Sequence, residues 1–310
     1  VRSRRVMFVL GACVLAGVTC LVLMWTGTSG LRPYETKVLP FTVVDLALSV
    51  DGRLLGVAGG TRLKEAVEEP AVAGDAECRL WSIAGGTRAL SYNKEDVGLF
   101  TSLAMIDGAV VLGQLHGAVL TVPLGNKGAG VRRLDSGHTW PIVTVAPRGA
   151  YMAVGGNRGL VAYAVSSDGL AEQGRTQWEP DAMAFSPSGK RLAVVLGSIG
   201  HKEVRVWDFR TGEVSLHIKD PKYRGDLSGT EILGVAFGPE GQTLATAGER
   251  LKLWSIATGE EIACLWKAKR NQPGLRSPAF SPDGRFLAAV GGDRVAWIWD
   301  LRTRKKVAKI

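Results

Sequence analysis

Histidine is scarce in this 310-residue chain: His116, His138, His201 and His217 are all there is, and none stands in an H-E-x-x-H pattern. Cysteine is as scarce, with Cys13, Cys20, Cys78 and Cys264 showing no C-x-x-C spacing, so neither a zinc site nor a disulfide framework is written into the chain. There is no G-x-S-x-G, no Walker loop and no EF-hand spacing. These absences exclude the common metalloprotease, serine-hydrolase, P-loop and calcium-sensor chemistries, and they predict no bound metal and no cofactor. Long helical patterns are few. A strong charge field is missing as well: of the net +9, three charges belong to Arg2, Arg4 and Arg5 at the tip, which leaves the rest mildly basic and without a nucleic-acid footprint.

Present instead are 40 glycines, nine tryptophans and scattered turn dipeptides, the composition of an all-β chain of many short strands. One apolar run stands apart. Val6 to Trp25 holds no charge over twenty residues, enough as a helix to span about 30 Å of hydrocarbon. It is long for a cleaved signal, although Thr28, Ser29 and Gly30 would suit a cleavage site. Leu10-Gly11-Ala12-Cys13 is similar to a lipoprotein box, but only Val6 to Val9 precede it, so Cys13 reads as a membrane-buried thiol. Arginines before the span and few basic residues after it put the N-terminus in the cytoplasm and everything from Leu31 outside the cytoplasmic membrane. The expected division is a transmembrane signal-anchor over 1–30, a linker with a candidate closing strand (Lys37–Phe41) over 31–42, and a repeat domain over 43–310.

The repeat is clearest from Arg276 to Leu301, where two tight turns, Ser281-Pro282-Asp283-Gly284 and Gly291-Gly292-Asp293, join three strands. Aligning the third strands gives Trp81, Val122, Tyr163, Trp207, Trp254 and Trp299, at steps of 41, 41, 44, 47 and 45 residues. The first turns agree, each closing on a glycine: Gly52, Gly108, Gly149, Gly189, Gly241 and Gly284. Cys78 and Cys264 fall on repeats that are not neighbours, too far apart to bridge.

Gly137-His138-Thr139-Trp140, the FSPDG turn, and Trp207-Asp208 and Trp299-Asp300 ending third strands make residues 40–310 resemble the WD-repeat β-propeller family. That resemblance implies about six blades, with a seventh lacking residues, each of four strands. The fourth, outermost strands would lie near Thr87–Leu90, Val131–Leu134, Leu170–Gly174, Glu213–Ile218, Glu260–Leu265 and Lys306–Ile310, the last competing with Lys37–Phe41 for the closing position. It also implies that Trp81, His138, Trp207, Asp208, Trp254, Trp299 and Asp300 are structural, His138 bonding within its own blade. Blades two and three, with Val122 and Tyr163 in place of tryptophan, should be the least well specified.

Three connections are long: Thr61–Glu77, whose RLKEAVEE stretch could form about two helical turns, Lys219–Thr230 and Trp266–Gly274. In a propeller of this kind they emerge on one face. Two are basic with an aromatic, and Trp140 and Trp178 precede first strands near the same face. Trp140, Trp178, Lys222, Tyr223, Arg224, Trp266, Lys269 and Arg270 are therefore the candidate binding residues, suited to a protein partner or an anionic envelope component. The function expected is a membrane-tethered, non-catalytic interaction scaffold. A propeller enzyme of hydrolase or lactonase type, or a TolB-like envelope protein, is the alternative. First strands reading VVDLALS, VTVAP, AMAFSP and GVAFGP carry mostly apolar residues inward, with no ring of ligating side chains, which speaks against the enzyme.

Overall fold

The computed structural model describes residues 6–7, 24–25, 42–49, 53–60, 76–82, 86–88, 100–124, 131–147, 149–166, 169–197, 202–219, 232–269, 272–291 and 295–309. At the N-terminus, β1 (Val6–Met7) and β2 (Met24–Trp25) pair antiparallel and bring Val6 beside Trp25, which one helix would hold about 30 Å apart, so the end residues of the expected span are corrected from helix to strand. The rest of the expected span, the linker, Lys37–Phe41 and the RLKEAVEE stretch lie outside the described residues. Among the described residues no helix is long and apolar enough to cross a membrane.

All other described elements build six four-stranded antiparallel blades, as the repeat spacing predicts. Blade one is β3 (Thr42–Leu48), β4 (Leu54–Gly60), β5 (Ala76–Ser82) and β6 (Gly86–Arg88); blade two is β7 (Phe100–Ile106), β8 (Ala109–Gln114), β9 (Ala118–Pro123) and β10 (Arg132–Asp135). Blade three is β11 (Ile142–Val145), β12 (Tyr151–Gly156), β13 (Gly159–Ser166) and β14 (Gly169–Thr176); blade four is β15 (Pro180–Phe185), β16 (Leu192–Leu196), β17 (Glu203–Trp207) and β18 (Val214–Lys219). Blade five is β19 (Ile232–Phe237), β20 (Thr243–Gly248), β21 (Arg250–Ser255) and β22 (Glu261–Lys267); blade six is β23 (Leu275–Phe280), β24 (Phe286–Gly291), β25 (Ala296–Asp300) and β26 (Lys305–Lys309). Apart from N-terminal stretches, the chain divides into two compact units, over 38–180 and 181–310. Every fourth strand begins and ends within two residues of its expected place. β26 pairs with β25, so the C-terminal strand belongs to blade six's own sheet.

Within each unit the blades pack face to face, which is why second strands such as β8 and β16 are buried along their whole length and read as unbroken apolar runs. Outer strands such as β14 and β26 are mostly exposed. The third-strand aromatic turns toward the preceding blade: Trp254 packs with Val204 and Val206 of blade four, and Trp299 with Leu251 and Leu253 of blade five. Each such tryptophan sits across from a second-strand leucine, as in Trp207↔Leu192, Trp254↔Leu244 and Trp299↔Leu287. In blades two and three the pairs are Val122↔Val110 and Tyr163↔Met152. Both blades nevertheless form complete sheets, with Val122 sharing its cluster with Phe100, Leu103 and Met105.

The turns explain the recurring glycines. Gly108, Gly149, Gly189, Gly241 and Gly284 all hold φ between 67° and 69°, the left-handed region a side chain disfavours. At the first hairpins of blades one, four and six, Ser49, Ser186 and Ser281 accept the N–H of Leu54, Arg191 and Phe286 at 2.8–3.1 Å. The third-to-fourth turns are held by the WD aspartates: Asp208 accepts from the N–H groups of Arg210 and Thr211, and Asp300 from those of Arg302 and Thr303. Burial alone would raise the Asp300 carboxyl, but those N–H groups and the Arg285 guanidinium hold it below the ordinary carboxylate range.

These turns end on Gly212 (φ 78°) and Gly259 (φ 74°), but in blade six the same position is Arg304 at φ 56°. An L-residue pays about 1–2 kcal/mol for this conformation, while glycine loses about 0.5–1 kcal/mol of chain entropy on folding. Arg304→Gly is therefore expected to stabilise the fold by up to about 1 kcal/mol in urea melts. A clear loss of stability would show that the Arg304 side chain itself holds the turn.

Candidate functional site

The first strands carry a feature the apolar pattern hides. β3 has a bulge between Val43 and Asp45, and β7 one between Phe100 and Ser102; each re-aims a polar side chain toward the next blade. Asp45 accepts the N–H of Leu46 at 2.8 Å and, across to blade two, the N–H of Leu103 at 2.7 Å. One blade on, Ser102 accepts the N–H of Val143 at 3.0 Å and donates to the Pro141 carbonyl at 3.1 Å, while Thr101 donates to the same carbonyl at 2.7 Å. Gly113 makes room for this network: a Cβ there would lie 2.5 Å from Ser102 Oγ and 2.9 Å from Pro141 O. Asp45 is the carboxylate within the mostly apolar first-strand stretch VVDLALS. Its carboxyl group is enclosed although the residue as a whole is only half-buried, and burial, which outweighs the two N–H groups, raises its pKa from 3.8 to about 6. With both oxygens taken by backbone N–H groups it works as a latch between blades.

The blade ends hold the candidate binding residues. Buried His138 accepts the Arg158 N–H on Nδ1 at 3.2 Å, tying the chain ahead of β11 to the β12–β13 turn of its own blade. Burial, and then the Arg158 charge, hold this imidazole below its ordinary pKa. Beside it Thr139 N–H donates to Asn157 Oδ1 at 2.8 Å and Trp140 N–H to the Leu115 carbonyl at 3.2 Å. Trp140 is left 45% exposed at φ 58°, a strained backbone for a bulky residue. Thr176 O and Gln177 Cα lie against Gly159 on the same turn, so half-buried Trp178 comes to the same end of blade three as Trp140. Near Trp140, where Gly117 N–H donates to the Gln114 carbonyl, the buried Gln114 side chain has an Nε2 without a hydrogen-bond partner among the described residues. Nothing in the sequence pattern singled it out.

Trp266 corrects an expectation. Rather than starting a surface loop it belongs to β22, opposite Leu251, and is half-buried against the cluster around Trp299. Trp266→Ala is accordingly expected to cost about 1–3 kcal/mol in denaturant melts, less than a fully buried tryptophan; a cost near zero would place the ring in solvent. Ala76 and Glu77 likewise belong to β5, not to a loop. The connection after β22 turns where Gln272 N–H meets the Lys269 carbonyl at 2.9 Å, leaving the Lys269 side chain exposed. Lys222, Tyr223, Arg224 and Arg270 lie outside the described residues, as does His201.

Chemically the arrangement is poor in reactive groups. Among the described residues no three His, Cys, Asp or Glu side chains gather as metal ligands. His217 is bound to Glu203 at 2.7 Å on the outer side of blade four, and Trp254 Nε1–H donates to Thr246 Oγ1 at 2.9 Å inside blade five.

The family described as WD domain, G-beta repeat matches residues 264–300. WD repeat and SOCS box-containing protein 1 of Takifugu rubripes is 24% identical over 118 residues, 36% of this chain and 25% of that protein. The THO complex subunit 6 homolog of Mus musculus is 27% identical over 208 residues, 63% of this chain and 60% of that one. The chain thus spans a quarter of the first relative and three-fifths of the second. The crystal structure of Sqt1 from Chaetomium thermophilum is similar in fold, with a TM-score of 0.61 at 16% identity over 87% of this chain and 72% of that chain. The chain resembles the WD-repeat β-propellers.

Proposed function

We propose that this chain is a non-catalytic protein-interaction scaffold, tethered to the cytoplasmic membrane by its N-terminal apolar stretch with its blades outside. A partner would dock on the end of blade three that carries Trp140 and Trp178. The observation that carries the reading is Trp140: a large indole kept in solvent, on a strained backbone fixed by hydrogen bonds on either side, is a preorganised anchor of the kind that dominates interfaces. The relatives agree in kind, since one is named as a subunit of a complex.

A photo-crosslinking amino acid placed at Trp140 or Trp178 in cells should yield a discrete protein adduct, and one placed at Arg210, in the exposed turn between β17 and β18, should not. Equal crosslinking at all three positions, or none at the tryptophans, would overturn the docking face. Topology is read separately. Arg224→Cys and Arg270→Cys, in a Cys78→Ser, Cys264→Ser background, should react with a membrane-impermeant thiol reagent from the outer side; reaction only after the cytoplasmic side is opened would overturn the tether's orientation.

A further inference from the structure

Blade six departs from its two predecessors where the third strand turns into the fourth. Blades four and five make this turn on Gly212 and Gly259, and acids follow at once, Glu213 in one and Glu260-Glu261 in the other. In blade six the glycine is Arg304, held at φ 56°, and the acids are replaced by Lys305 and Lys306. Strain of this kind persists where a side chain has a task. With Arg302 and Lys309, the stretch 302–309 carries five cations and no acid, and all five are exposed.

Among the described residues none of these cations is paired with a carboxylate. The two acids at this end of the blade are engaged elsewhere. Asp300 is buried and bound to Arg285 at 3.1 Å, while Asp283 accepts from Ser281 Oγ at 2.6 Å and from the Arg285 N–H at 3.1 Å. Lys306 Nζ lies over the Trp297 ring at 3.8 Å, which holds its stem against the blade. Val307, 45% exposed, falls where the ladder slips between Trp299↔Lys306 and Ile298↔Ala308, and it adds an apolar side chain to the basic row.

Edge lysines and a register break discourage another strand from adding to β26. Neighbouring side chains on the strand alternate between the two faces of the sheet, so Lys305 and Lys306 spread apart instead of converging on one ligand. Charges that fan out from an edge suit a surface. We infer that the rim of blade six formed by residues 302–309 lies on the anionic headgroups of a phospholipid bilayer, with Val307 among them. Protection of a sheet edge would account for the lysines of the strand, but not for Arg302 and Arg304, which stand outside it in the turn, the second on a strained backbone. The assignment depends neither on the N-terminal tether nor on the docking face of blade three.

The test places the full chain, with a benzoyl-phenylalanine crosslinker at Val307, in nanodiscs of pure phosphatidylcholine or of a two-to-one mixture with phosphatidylglycerol, and reads the mass of the adduct. A phospholipid adduct is expected in the mixed discs and not in the pure ones. Each basic residue at an anionic surface is worth roughly fivefold in binding, so the yield should fall at least tenfold for Lys305→Glu with Lys306→Glu and about fivefold for Arg304→Gly. Arg304→Gly decides most, because relief of its strained turn leaves the fold at least as stable as the parent. Circular dichroism and melting check both variants, and Lys305→Ala with Lys306→Ala serves should the glutamate pair not fold. Equal yields in the two kinds of disc, no lipid adduct, or a yield unchanged in either variant overturns the inference. So does an adduct in cells with an acidic protein and none with lipid. Co-elution with the pure phosphatidylcholine discs reads the tether alone. A chain that leaves those discs yet stays with the mixed ones and gives the adduct sinks the tether and upholds the rim, and a chain that stays in both without an adduct does the reverse.

Discussion

Trp299→Ala is expected to remove about 3–5 kcal/mol of folding stability, the range for emptying a large buried aromatic site. The ring is 1% exposed, lies opposite Leu287, and completes a cluster that draws Ala245, Ala247, Leu251 and Leu253 from blade five and Leu275, Leu287 and Ala289 from blade six. Its loss therefore opens a void at the seam between two blades, where neither can collapse into it without moving a sheet. Trp207→Ala should cost a similar amount in blade four. That ring is 2% exposed and meets Phe209 edge-on at 6.0 Å, with Phe209 in turn edge-on to Phe185 at 5.8 Å, so an aromatic chain is cut as well. Urea melts of the two variants and of Trp266→Ala should rank Trp299 and Trp207 together and well above Trp266. Equal losses at Trp266 and Trp299 would mean that the third-strand position has no special place between blades.

First-turn glycines were legible because they answer to a local demand, a positive φ in a tight turn, and third-strand tryptophans because the seam they fill recurs every 41–47 positions. The outermost strands followed once those anchors fixed the phase. Asp45 was not legible, because a bulge adds one residue to β3 and so breaks the alternation by which VVDLALS reads as an apolar face; only the partner strand, with Val43↔Gly59 followed by Asp45↔Ala58, reveals the skipped position. Trp266 was misplaced for a related reason. Lys267, Lys269 and Arg270 look like solvent-facing loop, but an edge strand tolerates lysine, and β22 runs to Lys267, two residues past the expected end at Leu265.

The stability of the protein should carry the mark of Asp45 as a dependence on pH. Its folded-state pKa is about 6 against an ordinary 3.8, so the folded chain holds the proton more tightly than the unfolded chain. The corresponding stabilisation is complete below pH 3.8 and is lost as pH rises through 6, and the gap amounts to about 3 kcal/mol. Asp300, Asp283 and Glu203 act in the opposite sense, since their carboxyls are held below the ordinary range and their contributions are lost in acid. The observable is therefore the difference between the parent and Asp45→Asn, in which those terms cancel. The asparagine side chain keeps one acceptor, so either the Leu46 or the Leu103 N–H faces an amide nitrogen, a penalty of about 1–3 kcal/mol that does not vary with pH. Superposed on that offset, the variant should gain about 2–3 kcal/mol relative to the parent between pH 4 and pH 7. A difference that stays flat over this interval would show that the Asp45 carboxylate is solvated, and that the seam between blades one and two does not depend on an enclosed charge.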